Sequence, residues 1–210
     1  MNQKSINGLY AITPEEPSAE LLLEKVRQAI AGGARTLQYR NKSADQVTRL
    51  WQAEALAAFA KSKDVVFIVN DSVELARVTD ADGIHLGKED SDVASAREAL
   101  GDKLIGVSCY NDLDRAIEAE KAGADYVAFG AAFPSATKPN AVHAPLDLYR
   151  QAMRKLSIPV VAIGGITPNN AKALIDAGVD AVAVISDLFE ANDIRARAEL
   201  FSRLFHKTTQ

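Results

Sequence analysis

The stretch "PVVAIGGITPNNAKALIDAGVDAVAVIS", residues 159–186, holds one full period of the chain. "PVVAIG" is a short β-branched and apolar run without polar alternation, the pattern of a strand buried on both faces. Gly164 and Gly165 follow, then "TPNN" opens a helical pattern over 168–177. That helix stops on "AGVDA", because a glycine just past a helix end takes the left-handed conformation that ends it, and "DAVAVI" begins the next strand at once. The same punctuation recurs in "AGGAR" at 31–35 and "AGADY" at 122–126. Working outward, eight such strands appear: "GLYAIT", "RTLQYR", "VVFIVN", "DGIHLG", "KLIGVS", "DYVAFG", "PVVAIG" and "DAVAVI". Amphipathic segments at 18–31, 44–61, 92–100, 113–122, 146–155 and 168–177 separate them, with a short crossover at 72–79 and a last helix after Asn192. The period is roughly 26 residues if the 210 are shared among eight units.

Strands buried on both faces, each followed by a helix, imply a parallel sheet. Eight such units close into a (β/α)8 TIM barrel, an α/β fold expected to take residues 1–210 as a single domain. A doubly wound open sheet is the competing architecture, but the first strand runs into "ITPEEP" rather than a Gly-rich dinucleotide fingerprint. With 48% hydrophobic and 25% charged residues, the chain can bury a full core. No stretch approaches the roughly 20 apolar residues of a membrane span, and "MNQKSINGLY" has no apolar signal region. A cytoplasmic protein without membrane contact is expected. A net charge of −4 and the lack of a basic block argue against nucleic acid as a partner. Cys109, the single cysteine, has no internal disulfide partner, and no His/Cys cluster has zinc-ligand spacing.

Active sites of such barrels lie at the carboxyl ends of the strands, and the polar residues fall there. Gln38, Arg40 and Lys42 occupy every second position at the end of strand two, so they share a face. Asn70 and Asp71 end strand three, Asp90 follows strand four in "GKED", and Ser108 ends strand five. Lys138 lies in the long connection "GAAFPSATKPN" after strand six; Gly164 and Gly165 end strand seven, and Ile185 and Ser186 end strand eight. Helix capping is the plain alternative for Asp71 or Ser72 and for Asp90 or Ser91. It does not explain Arg40, Lys42 and Lys138, because cations at helix starts oppose the macrodipole. They call for an anion. Backbone N–H groups after strands seven and eight, freed by the glycine pair and followed by "SDLFE", match a monophosphate cradle; a tight turn into the next helix is the competing reading. Carboxylates among anion-binding cations point to a divalent ion, and Mg2+ characteristically uses one or two carboxylates plus phosphate oxygens. Asp71 and Asp90 are the candidate ligands. The three cations and two carboxylates sum to +1, and one Mg2+ makes +3, which balances a diphosphate ester of roughly three negative charges.

The segments "LYAIT", "LQYRNK", "VND", "DGIHLGKED", "IGVSCYN", "GADYVAFGAAFPSATKP" and the 159–186 stretch resemble the thiamine phosphate synthase family in order and spacing, over about residues 8–190. The resemblance implies a transferase of thiamine biosynthesis that joins 4-amino-2-methyl-5-(diphosphooxymethyl)pyrimidine to 4-methyl-5-(2-phosphoethyl)thiazole. The products are thiamine phosphate and pyrophosphate. Carried over by motif, Gln38, Tyr39, Arg40, Asn41, Lys42, Asn70, Ser108 and Lys138 would hold the pyrimidine diphosphate. Of these, Arg40, Lys42, Ser108 and Lys138 would act catalytically on the leaving group. Asp71 and Asp90 would bind one Mg2+ per subunit, and Ser135, Ala136, Thr137, Gly165, Ile185 and Ser186 would hold the thiazole phosphate. The partners so implied are small molecules; the resemblance says nothing of oligomeric state.

Three positions depart from the family pattern. Ser72 stands where many members have arginine, Lys88 where many have glutamine, and Ser135 where threonine is common; Lys88 can supply the charge missing at 72. The implied chemistry, dissociative loss of pyrophosphate followed by attack of the thiazole nitrogen, needs no general base. That agrees with the residue inventory: His85 reads as a barrel-core residue, His143 and His206 as solvated, and Cys109 as packed. A thiazole tautomerase of the same fold would not need the diphosphate clamp. A phosphate-binding barrel of tryptophan or pentose-phosphate metabolism would need a positioned acid/base pair, and none is evident beyond the metal carboxylates. A non-catalytic thiamine phosphate binder would leave the metal and leaving-group residues unexplained.

Overall fold

The computed structural model describes residues 5–88, 90–134 and 142–206. Eight parallel strands, β1 (Gly8–Ile12), β2 (Thr36–Tyr39), β3 (Val66–Asn70), β4 (Gly83–Leu86), β5 (Leu104–Tyr110), β6 (Tyr126–Gly130), β7 (Val160–Ile163) and β8 (Ala181–Val184), form one closed sheet. Around it lie α1 (Ala19–Ala31), α2 (Gln46–Ser62), α3 (Val73–Val78), α4 (Val93–Leu100), α5 (Leu113–Lys121), α6 (Leu146–Lys155) and α7 (Pro168–Asp176). The "SDLFE" segment is a single turn, α8 (Ser186–Phe189), and α9 (Ile194–His206) follows it. Because β1 pairs with both β2 and β8, the open-sheet alternative is excluded. Gly33, Gly123 and Gly178, with φ of 102°, 94° and 101°, stop their helices in the left-handed region as the punctuation predicts.

The period of two along each strand builds two cores. Tyr10, Ile12, Val66, Ile68, Tyr126, Ala128, Val161, Ala181 and Ala183 fill the inside of the cylinder, together with the chain's Ile6. The alternate residues, among them Leu9, Leu37, Phe67, Val69, Ile84, Ile105, Val127 and Val182, pack against the helices. On β4 and β5 glycine stands in for an inward side chain. A Cβ on Gly83 would lie 2.2 Å from the Leu104 carbonyl oxygen, and one on Gly106 only 2.0 Å from Cζ of Tyr126, its partner across the β5–β6 register. Gly106 thus makes room for the buried Tyr126 ring. Gly106→Ala is expected to destabilise the fold by about 3 kcal/mol through overpacking, lowering Tm by about 6–12 °C for a chain of this size, as thermal unfolding would measure.

At the amino ends of the strands a clip repeats. Asp82, Asp125 and Asp180, each just before an even-numbered strand, accept the N–H of Phe67, Ile105 and Val160 at 2.8, 2.7 and 2.8 Å. Each aspartate's own N–H donates back to the carbonyl of the same residue. Arg97 reinforces the middle clip, reaching Asp125 and the carbonyls of Gly101, Lys103 and Gly123. In the first pair of units the equivalent position is Arg35, which keeps only the backbone bond, to Leu9.

Candidate active site

Helix starts sort the carboxylates at the opposite end of the barrel. Ser72 caps α3 by accepting from Leu75 N at 3.1 Å, and Asp92 caps α4 by accepting from Ser95 N at 2.9 Å. Asp71 and Asp90 are therefore not spent as caps, and they face each other. Asp71 sits at φ 64°, its N–H donating to the His85 carbonyl at 2.9 Å, and its carboxylate lies 3.2 Å from Lys42 Nζ. Burial first, then the neighbouring Asp90 carboxyl, push the Asp71 carboxyl above its ordinary range, with Lys42 opposing. Asp90 Oδ2 accepts the Gly87 N–H at 2.6 Å. Among the described residues no group of three or more His, Cys, Asp or Glu is placed to hold a metal. Two facing carboxylates with one half-exposed lysine suit Mg2+, which takes one or two carboxylates and leaves its remaining positions to water and phosphate oxygens.

Arg40 lies just past β2. Thr13 clasps its backbone, Oγ1 accepting from Arg40 N at 2.9 Å and donating to Arg40 O at 3.0 Å. Its guanidinium is 3.6 Å from Glu15, a long and partly exposed ion pair of small worth. Gln38 points into the barrel, where its Nε2 donates to the Tyr10 hydroxyl at 2.8 Å. Asn70, half-buried, ends β3 opposite His85. Tyr39 and Asn41 face the other way. The Tyr39 hydroxyl and Asn41 Nδ2 donate to Oε1 of Gln52 on α2 at 2.9 and 3.1 Å, so these side chains anchor the helix layer. Strand alternation is the reason: residues between inward positions must point outward.

Ser108 ends the regular part of β5, and the register shift between Ser108 and Tyr110 follows it. Its Oγ is 2.8 Å from Nε2 of His85, which is buried as the sequence suggested. Cys109 points into the outer core, and burial pushes its thiol up to about 12, which makes it unreactive. His143 is exposed, with Nδ1 3.2 Å from the Ala131 carbonyl, and His206 is exposed at the end of α9. Arg115, which sequence reasoning passed over, donates to the Ser108 carbonyl at 2.9 Å and the Gly87 carbonyl at 3.4 Å, tying the ends of β4 and β5 together. A signal was available, since Arg115 is a cation in the first turn of α5, the placement that the macrodipole disfavours without compensation.

Across the mouth, Gly164 and Gly165 have φ of 100° and 62°. They turn the chain into α7, whose start is a capping box between Thr167 and Asn170, with Asn170 Nδ2 also donating to the Gly165 carbonyl at 2.9 Å. A Cβ on Gly165 would come within 2.5 Å of the Phe133 and Pro134 carbonyl oxygens. Glycine is thus demanded here by the fold itself. Ile185 (φ −116°, ψ −87°) leads into Ser186 at the start of α8; the Ile185 carbonyl accepts the N–H groups of Leu188 and Phe189 at 3.2 and 3.0 Å, which leaves those of Ser186 and Asp187 without an intrahelical partner. Ser135, Ala136, Thr137 and Lys138 lie outside the described residues.

The buried His85 imidazole is held down to about 4, chiefly by desolvation and against the pull of Asp90. An unfolded histidine titrates near 6.5, so between these values the unfolded chain binds the extra proton. The stability that follows is complete above about pH 6.5 and is lost as pH falls toward 4, by about 3 kcal/mol. Denaturant unfolding at pH 7 and pH 4.5 is expected to show this loss in the wild type and a smaller one in His85→Asn.

Comparison with known proteins identifies the family. The family described as thiamine monophosphate synthase matches residues 9–188. A thiamine-phosphate synthase of Aromatoleum aromaticum is 52% identical over 206 residues, covering 98% of this chain and 99% of the relative. One from Nitrosomonas eutropha is also 52% identical over 206 residues, covering 98% and 97%. Among solved structures, thiamine phosphate pyrophosphorylase from Pyrococcus furiosus superposes with a TM-score of 0.88 at 36% identity, covering 97% of each chain. The chain belongs to the thiamine monophosphate synthase family and is a transferase of thiamine biosynthesis.

Proposed function

We propose that this chain condenses 4-amino-2-methyl-5-(diphosphooxymethyl)pyrimidine with 4-methyl-5-(2-phosphoethyl)thiazole, releasing pyrophosphate and forming thiamine phosphate. The observation that carries the reading is the mouth itself. Facing carboxylates Asp71 and Asp90 sit with Lys42 on one side, while a glycine turn and the start of α8 lie on the other. That gives two different anions two different places.

In this reading Arg40, Lys42 and Lys138 neutralise the departing diphosphate, Ser108 donates to one of its oxygens, and Gln38 and Asn70 orient the pyrimidine. Tyr39 and Asn41 contribute through their backbone. Asp71 and Asp90 hold one Mg2+ per subunit, which supplies charge neutralisation to the leaving group when bound. Ser135, Ala136, Thr137, Gly165, Ile185 and Ser186 hold the thiazole phosphate, largely through backbone N–H groups. The bond from the pyrimidine methylene carbon to diphosphate oxygen breaks heterolytically, and the electron pair leaves with the diphosphate. The ring's amino group spreads the resulting positive charge, and the thiazole nitrogen donates its lone pair to the methylene carbon. No proton moves, so the barrel has only to position both substrates, exclude water and meet the growing charge. A neutral, buried His85 and a protonated Cys109 suit a reaction without acid–base catalysis. No described helix is long and apolar enough to cross a membrane, and a cytoplasmic reaction on free small molecules is part of the same reading.

The test is to mix both substrates with the protein and Mg2+ and assay thiamine phosphate and pyrophosphate together. Equal amounts of the two are expected. Isomerisation of the thiazole without pyrophosphate release would point to a tautomerase, and binding of thiamine phosphate without turnover to a non-catalytic protein.

A further inference from the structure

Beneath the mouth, a chain of polar groups crosses the barrel between two residues of the proposed pyrimidine site. Gln38 Nε2 is 2.8 Å from the Tyr10 hydroxyl, and the Tyr10 hydroxyl is 2.9 Å from that of Tyr126. The Tyr126 hydroxyl is 3.1 Å from His85 Nδ1, and His85 Nε2 is 2.8 Å from Ser108 Oγ. Gln38, Tyr10, Tyr126 and His85 are all buried, with only Ser108 half-buried at the mouth. The chain draws one residue from each of β2, β1, β6, β4 and β5. Tyr126 takes the central place that the missing side chain of Gly106 opens for it.

Proton counting leaves this chain two states. Burial raises both phenols and lowers the imidazole, so every member is neutral near pH 7 and each hydroxyl keeps one proton. In the first state the Gln38 amide donates to Tyr10, Tyr10 to Tyr126, Tyr126 to His85 Nδ1, and His85 Nε2–H to Ser108. The Ser108 hydroxyl proton then faces the mouth, as does the Gln38 carbonyl oxygen. In the second state every link is reversed: Gln38 accepts from Tyr10 and turns its NH2 outward, and Ser108 spends its proton on His85. A mixed state would set two protons or two lone pairs against each other at a buried link, which low-dielectric surroundings make costly.

We propose that these five residues form a polarity relay. An anion that can only accept hydrogen bonds, placed at Ser108, fixes His85 as its Nε2–H tautomer and turns the Gln38 carbonyl toward the ligand. Tyr10, Tyr126 and His85 then act as positioning residues that select an amino group at the Gln38 end over a carbonyl. This rests on the reading of the mouth as a pyrimidine diphosphate site. A carbonyl at the position of the pyrimidine amino group would meet the Gln38 oxygen lone pair to lone pair. To receive it the amide must turn over, and the relay then withdraws the Ser108 proton from the diphosphate. The two halves of one substrate are thereby recognised jointly.

The experiment compares kcat/KM for the aminopyrimidine diphosphate and its 4-oxo counterpart in the wild type, Tyr126→Phe and Tyr10→Phe. The wild type is expected to prefer the amino compound by about a hundredfold or more. Each phenylalanine variant keeps the ring but cuts the relay, so the preference should fall by about tenfold or more, with KM for the thiazole phosphate unchanged. A merely structural role for the tyrosines would lower stability and leave that ratio alone. Nitrogen-15 NMR of His85 in the wild type, with inorganic pyrophosphate and Mg2+ present, reads the tautomer without any variant and should find the proton on Nε2. A proton on Nδ1, or an unchanged ratio in folded phenylalanine variants, overturns the relay and leaves the functional reading standing. Failure of the wild type to condense the amino substrate at all overturns that reading and the relay with it.

Discussion

Asp71→Asn is expected to lower the rate of condensation at saturating substrates by about a thousandfold, equivalent to about 4 kcal/mol, and at the same time to raise Tm at pH 7 without Mg2+. The two effects have one origin. The Asp71 carboxyl is held above its ordinary range by burial and by Asp90, so keeping it ionised in the fold is unfavourable at neutral pH. A raised folded value in a carboxyl means a contribution that is favourable at low pH and lost as pH rises through that value. The gain in Tm should therefore shrink below about pH 4, where both states are protonated. Asparagine keeps the shape, tolerates the left-handed backbone at φ 64°, and gives up only a half-exposed contact to Lys42. Mg2+ with pyrophosphate should raise the Tm of the wild type by linkage and that of the variant much less. Full turnover in the variant, or the same thermal response to Mg2+, would remove Asp71 from the metal site.

Arg40→Ala should slow the chemical step by about a hundredfold, or on the order of 3 kcal/mol, as well as weakening pyrimidine binding. Charge on the leaving oxygen grows as the bond breaks, so the guanidinium interacts more strongly with the transition state than with the bound substrate. The structure makes this a clean truncation. Thr13 holds the main chain of residue 40 through both its N–H and its carbonyl, so the strand end stays in place when the side chain goes, and the pair with Glu15 at 3.6 Å is weak. Arg40→Lys should recover only part of the rate, because an ammonium cannot reproduce the forked contact with phosphate oxygens. Single-turnover mixing separates binding from chemistry, and an Arg40→Ala enzyme that forms product at the normal rate once saturated would show that this residue only binds.

The barrel was legible because its signals are local: a buried apolar run followed by a helical pattern, repeated from "GLYAIT" to "DAVAVI" and punctuated by glycine stops in "AGGAR", "AGADY" and "AGVDA". The strand-end rule then brought Gln38, Arg40, Lys42, Asp71, Asp90 and Ser108 to one end. What the sequence hid depends on which way a side chain faces and what it meets across the sheet. Tyr39 and Asn41 belong to the same short stretch as Gln38 and Arg40, yet alternation sends them to Gln52. His85 was legible as buried, but its partners Tyr126 and Ser108 stand 41 and 23 residues away in the chain. Only the closed register brings them together. The role of Gly106 was invisible for the same reason, since a glycine that makes room for a ring on the next strand leaves no local pattern.

The aspartate clips at the far end of the barrel have a period of two units. Each clip joins an odd strand to the even strand after it, and none joins an even strand to the odd strand that follows. Opening the chain beside Gly101, an exposed glycine with open space where a side chain would stand, would give two half-barrels. One would run from β1 to α4 and the other from β5 onward, and every aspartate would remain in the same fragment as the amide it receives. Opening it between α5 and β6 would part Asp125 from Ile105, while either opening would separate Arg97 from Asp125. Aspartate side chains thus stitch the strands in couples, and Arg35 marks the one couple that does without its aspartate.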